Sequence, residues 1–393
     1  MTKGNKIPMK IVHIAPNAPF NDGWGYQDNL LPKYHKQLGH TVTLFITTRT
    51  HKDGHIINTD GEDFVSQDGF RVVRLPYRQY PLRVLTSIFC RFDVFDYLID
   101  LQPDLVFFHG VISATILDVI RYQKYRRKQG LDCRIIQDNH SDYNNSKQAE
   151  TVMQKCLQVY YRLLNKYAAK YVEKYYGVTP WRKQYLEDYF RISPEKTDVL
   201  IMGADDEKID FAHKEEIRNR IRKVYNIEEG DFLVVTGGKI DSKKNIHLLM
   251  EACGNIKGVK LLIFGEATKK FGETFQGLLK KYPNISSVGW VDAGSVYDYF
   301  FAADLVCFPG GHSVLWEQAC ATKVPCLFAR WPGMEHVNNG GNAKLLDNTD
   351  AESLRSTIEG LRFTPEYYQM LKIAQSEATD VFLYSQIAKK SLK

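Results

Sequence analysis

Several common functional signatures are missing from this sequence. Its seven cysteines (90, 133, 156, 253, 307, 320 and 326) are odd in number, scattered, and nowhere spaced Cys-x-x-Cys. That excludes a disulfide framework or a zinc ribbon and points to a reducing compartment. No apolar run approaches ~18 residues, so no segment reads as a membrane span. The opening MTKGNKIPMK runs straight into a strand without the apolar core of a signal peptide, and the expected location is the cytoplasm. There is no Asp-x-Asp, so no metal-bridged diphosphate is expected. A complete Gly-x-Gly-x-x-Gly is also absent: Gly23 and Gly25 follow the first strand, but the third position is Asp28. That argues against a dehydrogenase.

What is present is a long alternation of strands and helices. At 393 residues the chain exceeds one ordinary core, and 44% hydrophobic with 25% charged residues describes a globular protein. The net charge of +6 favours anionic partners such as nucleotides, phospholipid surfaces or acidic sugars. Met9 to Ala15 is a nearly continuous apolar run of the kind buried in parallel sheets. A glycine-bearing loop, a helix from Tyr26 to Leu38 capped by Gly39, and a strand from Thr41 to Thr47 complete a βαβ unit. Strands are expected at 69–75, 104–109, 133–137, 171–177 and 198–202, with helices at 82–101, to about 128, at 149–167, and after the Thr179-Pro180 cap. Residues 203 to about 230 are charged and loop-and-helix-like, which suits a linker. The pattern then restarts with strands at 232–236, 259–265, 284–289, 303–308 and 324–328. The expected class is α/β, two doubly wound Rossmann-like halves. Ligands of such sheets bind outside the carboxyl ends of the strands, so a cleft is expected between the two halves.

Some residues there carry chemistry. Lys239 and Lys244 flank a glycine-led loop that includes Gly238, and two cations could neutralise a diphosphate leaving group. Lysines at a helix start are unfavourable unless an anion is present. Pro309-Gly-Gly-His-Ser313 turns from a strand into a helix carrying Glu317, an arrangement that suits an anion and serves equally as a tight turn. Glu317 can accept hydrogen bonds from paired hydroxyls, as on a ribose, or simply favour the helix start. His109 and His140, with Asp138, end two strands of the first half and are candidate contacts to sugar hydroxyls or an acceptor. The run Arg121 to Lys128 reads first as a solvated helix end and second as a lipid or nucleic-acid patch.

These motifs together resemble the retaining, GT-B-fold glycosyltransferases of family 4 (glycosyl transferases group 1). Lys10-Ile-Val-His-Ile-Ala-Pro16, Asp22-Gly-Trp-Gly25 and Leu38-Gly-His-Thr-Val-Thr43 are similar to that family's opening strand, glycine loop and following step. Pro103-Asp-Leu-Val-Phe-Phe-His109 resembles its His-terminated strand, and Gly238-Lys-Ile-Asp-Ser-Lys-Lys244 its diphosphate-binding pair, with Lys239 for the usual Arg. Glu317-Gln-Ala-Cys320 resembles the surroundings of the second Glu of its Glu-x7-Glu motif. The first Glu is missing: position 309 is Pro and the turn is shorter.

The resemblance implies a catalytic set of His109, Lys239 and Lys244. It implies donor contacts from Gly23, Gly25, Gly238, His312, Ser313, Val314 and Glu317, with His312 and the amides of Ser313 and Val314 standing in for the missing Glu. The implied division is an acceptor-side domain 1–205, a nucleotide-sugar domain 206–375, and a helix 376–393 packing back on the first. It further implies metal-independent transfer, with no cofactor and no nucleic acid, from a nucleotide-diphosphate sugar to a saccharide or lipid-linked acceptor. Such an acceptor would be reached by peripheral contact with the inner membrane face. A catalytically silent nucleotide-sugar-binding module and a sugar-nucleotide epimerase are the alternatives.

Overall fold

The computed structural model describes residues 7–53, 55–143, 146 and 151–393. The reading of the extreme N-terminus and the first two residues of the helix expected at 149–167 lie outside them. The chain divides into two compact units, Met1–Ile201 with Ala388–Lys393, and Met202–Ile387. The units meet at 201/202, a few residues before the division expected at 205/206, and of the expected C-terminal segment 376–393 residues 388–393 belong to the first unit. The reason lies in backbone pairing: Ala204 N–H bonds the Phe382 carbonyl and Tyr384 N–H bonds that of Ala204. These bonds hold both chain crossings within the second unit.

The first unit is an eight-stranded sheet in the order 197–199, 174–177, 134–139, 105–108, 10–15, 41–47, 71–75, 63–65. All its pairs are parallel except the last, where Asp63–Val65 runs antiparallel along Arg71–Leu75. The second unit is a parallel six-stranded sheet in the order 285–289, 259–264, 232–237, 305–308, 326–329, 343–346. The central strands are buried along their length, as parallel strands covered on both faces require. The doubly wound α/β class is the observed one.

Several local expectations hold for the expected physical reason. The helix Gln27–Gln37 ends at Leu38, and Gly39 follows at φ +91°, the left-handed conformation that glycine adopts without strain. Thr179 caps Pro180–Asp188 by accepting from the Arg182 amide. The structure adds a cap that was not anticipated, a reciprocal capping box of Thr151 and Gln154 at Val152–Ala168.

Others are corrected. The helix expected at 82–101 is two, Arg83–Phe89 and Phe95–Leu101. Cys90 turns left-handed after the first, and buried Asp118 captures both the Arg91 guanidinium and the Val94 amide in the gap. Short segments escaped the sequence altogether: the hairpin Arg49–Lys52 with His55–Asn58, the edge strand Asp63–Val65, and the strand Ala343–Leu346.

The charged stretch 203–230 is not a linker. Its helix Lys214–Val224 buries Ile217 and Ile221, and its arginines tie it to the sheet. Arg218 reaches the Ala302 and Ala303 carbonyls and Asp304 at 2.6 Å. Arg222 meets Asp304 at 3.1 Å, and Asp304 also accepts from the Leu233 amide at 2.7 Å. Removing that carboxylate leaves a buried guanidinium uncompensated. Asp304→Ala should therefore lower the stability of the second unit by about 3 kcal/mol in urea denaturation, and a loss below ~1 kcal/mol would show that the arginines do not need it.

Candidate functional site

Among its parallel strands each sheet has one point where the order reverses, and each gathers polar side chains there. In the second unit it lies between Phe232–Gly237 and Leu305–Phe308. The loops leaving these two strands press on one another. A Cβ at Gly310 would collide with the backbone of Lys244, and one at Gly238 (φ +96°) would lie 3.0 Å from Leu315. Gly311 N–H bonds the Lys243 carbonyl, and the Asn245 amide bonds that of Pro309. Glycine at 310 thus serves the packing of two loops, while a Cβ at Gly311 would meet open space.

Lys244 fastens this junction, donating to the Gly311 carbonyl at 2.6 Å and the His312 carbonyl at 3.3 Å. Burial draws its ammonium below the ordinary lysine value. Two of its three protons are engaged, so one remains for a ligand. Lys239 is different: its side chain is largely exposed, with Asp241 at 3.8 Å. The N–H groups of Ser313 and Val314, just before the helix Leu315–Ala321, take no partner among the described residues.

Glu317 is fully buried. Its Oε1 accepts from His312 Nε2 at 2.8 Å and His336 Nε2 at 2.9 Å, while Oε2 is buried with no partner among the described residues. Burial alone would raise this carboxyl, but the two imidazoles outweigh it and hold it at about 2. His312 is seated edge-on against Trp316, whose indole stacks on Phe328 at 4.6 Å. His336, in the loop after Cys326–Ala329, escaped the sequence reading. Its signal was positional, since a histidine after the next parallel strand falls on the same sheet edge.

The first unit reverses between Lys10–Ala15 and Leu105–Phe108. Asp138 is fully buried at the end of its strand. Its Oδ2 lies 2.8 Å from His109 Nδ1, 3.3 Å from the Gln27 amide and 3.7 Å from His140 Nε2. Its Oδ1 accepts from the Gly110 amide at 2.8 Å. Burial would raise Asp138, but His109 and His140 reverse the shift and hold it well below the ordinary carboxylate range. Burial likewise pulls His109 down, yet Asp138 and Asp28 together keep it above its usual value.

Asp28, notable in the sequence only as a missing glycine, lies 3.3 Å from His109 Nδ1. Neither ring nitrogen of His109 is spare, because Nε2 faces His13 Nδ1 at 3.0 Å. His13 and His35 are both buried, and neither was singled out from sequence. Gly23 (φ +76°) is closed over by the Gln67 side chain, and Gly25 is open. The structure thus gathers Gly238, Lys244, His312, Ser313, Val314 and Glu317 in one unit and His109, Asp138 and His140 in the other. Lys239 follows Gly238 with its side chain exposed.

Among the described residues one group could hold a metal ion, His312, Glu317 and His336, with ligand atoms within 4.8 Å of one another. Both Nε2 atoms are spent as donors to a single carboxylate oxygen, and a cation would require both to surrender their protons.

Residues 30–208 match the family described as Glycosyltransferase Family 4, and residues 217–375 match Glycosyl transferases group 1. A processive diacylglycerol alpha-glucosyltransferase of Acholeplasma laidlawii is 23% identical over 273 residues, 64% of this chain and 78% of its own. A glycosyltransferase structure from Rickettsia africae superposes with TM-score 0.69 at 16% identity, covering 98% of this chain and 97% of that one. HepE of Anabaena, solved in complex with UDP, superposes with TM-score 0.67 at 14% identity, covering 97% and 98%. The two structures share the fold, which is GT-B as the motifs implied.

The clamp on Glu317 has a pH signature. Its folded pKa lies below the unfolded value of 4.5, so its stabilisation is complete above that pH and drains away as pH falls toward about 2. His13 and His35, both depressed chiefly by burial, add acid sensitivity from about 6.5 downward, since only the unfolded chain takes up their protons. Urea midpoints measured from neutral pH to about pH 3 should fall, and Glu317→Gln should flatten the lower part of that limb. An unchanged slope in the variant would mean that the carboxylate is not held as described.

Proposed function

The chain belongs to the group 1, family 4 glycosyltransferases, and from that premise we propose that it moves a sugar from a nucleotide-diphosphate sugar to an acceptor hydroxyl with retention of configuration and without a metal ion. The observation that carries this reading is Glu317, a fully buried carboxylate with one oxygen gripped by two imidazoles and the other unpartnered. An unsatisfied buried acceptor costs ~1–3 kcal/mol, and paired ribose hydroxyls are donors that would relieve it.

In this reading Lys244, with its third proton, and the exposed Lys239 meet the diphosphate, joined by the free amides of Ser313 and Val314. The close approach is permitted by Gly238, and His312 takes the place of the missing first Glu. The bond from the anomeric carbon to the phosphate oxygen breaks, the acceptor oxygen bonds that carbon, and the acceptor proton passes to the departing phosphate. The cations and amides offset the charge that develops there. Asp138, His140 and His109 are assigned to the transferred sugar or acceptor. With both nitrogens of His109 internally engaged, its part is to set the charge and direction of Asp138. Gly23 and Gly25 keep their assignment to the donor.

The diacylglycerol named for the A. laidlawii relative directs the search first to lipid-linked acceptors. No described helix is long and apolar enough to cross a membrane. Pro309 in place of the first Glu favours a second reading, a silent module that binds a nucleotide sugar without transfer.

Incubation with a panel of nucleotide sugars and acceptors, following released nucleoside diphosphate, separates the two. Release that depends on acceptor and survives EDTA is expected; binding without release for every pair would favour the silent module, and a changed sugar without acceptor would indicate an epimerase. Lys244→Ala should lower transfer well over tenfold, since it removes both a diphosphate contact and the fastener of the loop, while near-normal turnover would refute the assignment. His312→Ala should weaken donor binding as well as turnover.

A further inference from the structure

A row of three buried imidazoles runs through the first unit. His109 Nε2 lies 3.0 Å from His13 Nδ1, and His13 Nε2 lies 3.0 Å from His35 Nδ1. His35 Nε2 then meets Ser391 Oγ at 2.8 Å and the Ala388 carbonyl at 3.3 Å. We propose that His13 and His35 are positioning residues for His109: the three rings share one tautomeric row, whose direction is set by the proton on His109 at one end and by the Ser391 hydroxyl at the other.

The argument is a count of donors. An ionised Asp138 only accepts, so His109 Nδ1 carries a proton. With His109 neutral, its Nε2 must accept; His13 then donates from Nδ1 and accepts at Nε2, and His35 donates from Nδ1. That leaves His35 Nε2 bare. The Ala388 carbonyl cannot supply a proton to it, and the Ser391 hydroxyl can. When the row takes up one proton from solvent, His109 carries two and both inner rings reverse. His35 now donates from Nε2, and Ser391 turns its own proton to the Ala388 carbonyl, 2.8 Å away. Four ring protons replace three, and neither inner ring becomes charged.

The surroundings place the charge at the His109 end. That ring faces Asp138 and Asp28, and Asp138 also faces Gln27 and His140. Burial and the neighbouring imidazoles of His35 and His109 depress His13. Burial holds His35 at about 3, with His40 and His109 adding to the effect against the Ala388 carbonyl.

It follows that Ser391, near the end of the chain, tunes His109 three rings away. Without its hydroxyl the neutral row leaves a bare nitrogen facing a carbonyl oxygen, whereas the protonated row keeps Ala388 as acceptor. The test is a pH titration of the full chain labelled with 15N-histidine, with tautomers read from two-bond 1H–15N correlations and rings assigned by single His→Gln changes. His13 and His35 should be Nδ1–H above the His109 midpoint and Nε2–H below it. Ser391→Ala should raise that midpoint by about 0.5–1 unit, the scale of one hydrogen bond. Ser391→Cys, a poorer donor of similar shape, should fall between. Inner rings that keep one tautomer throughout, or a midpoint that Ser391→Ala leaves unchanged or lowers, would overturn the proposal. The readout needs no substrate, so its outcome is independent of whether the chain transfers a sugar.

Discussion

A carboxylate cut off from water must find donors or give up its charge. Each of the two sheets places one such carboxylate at its switch point and meets the demand with histidine. In the second unit Glu317 is satisfied on one oxygen by His312 and His336. In the first, Asp138 is satisfied by His109 and the Gly110 amide. Burial raises the cost of leaving either group unpaired, and the partners lower both pKa values in spite of it. What results is a charge fixed in direction before any ligand arrives. Preorganised polar groups of this kind stabilise charge without reorganising during a reaction.

The loops around these carboxylates show how packing and binding share residues. Lys244 is a candidate diphosphate contact and at the same time the fastener of the 310–312 turn. Gly310 belongs to that fastening, because its missing Cβ makes room for the Lys244 backbone. In the turn that begins at Pro309, His312 comes onto Glu317, so the turn and the clamp are built from the same residues.

Sequence patterning made the alternating elements legible, together with the helix caps at Gly39 and Thr179, and the glycine and lysine motifs at the strand ends. These depend on neighbours a few residues away, where period, cap chemistry and turn residues act directly. The packing of the helix Lys214–Val224 was hidden because its charges suit a solvated linker until Asp304, eighty-odd positions on, gives them partners. The break at Cys90 was equally invisible, because it depends on Asp118 from the helix Ile116–Lys128.

His109, Lys244 and Glu317 could be named from the sequence by their places at strand ends and helix starts. Their partners could not. His336 comes from a short turn in a loop, His13 from a strand interior, His35 from the helix Gln27–Gln37 and Ser391 from the far end of the chain, and only the folding of each unit brings them to their partners. Residue type and local pattern determined where charge would be buried. The tertiary fold alone decided which groups pair with it, because a buried charge is compensated through space and periodicity records only what is near in sequence.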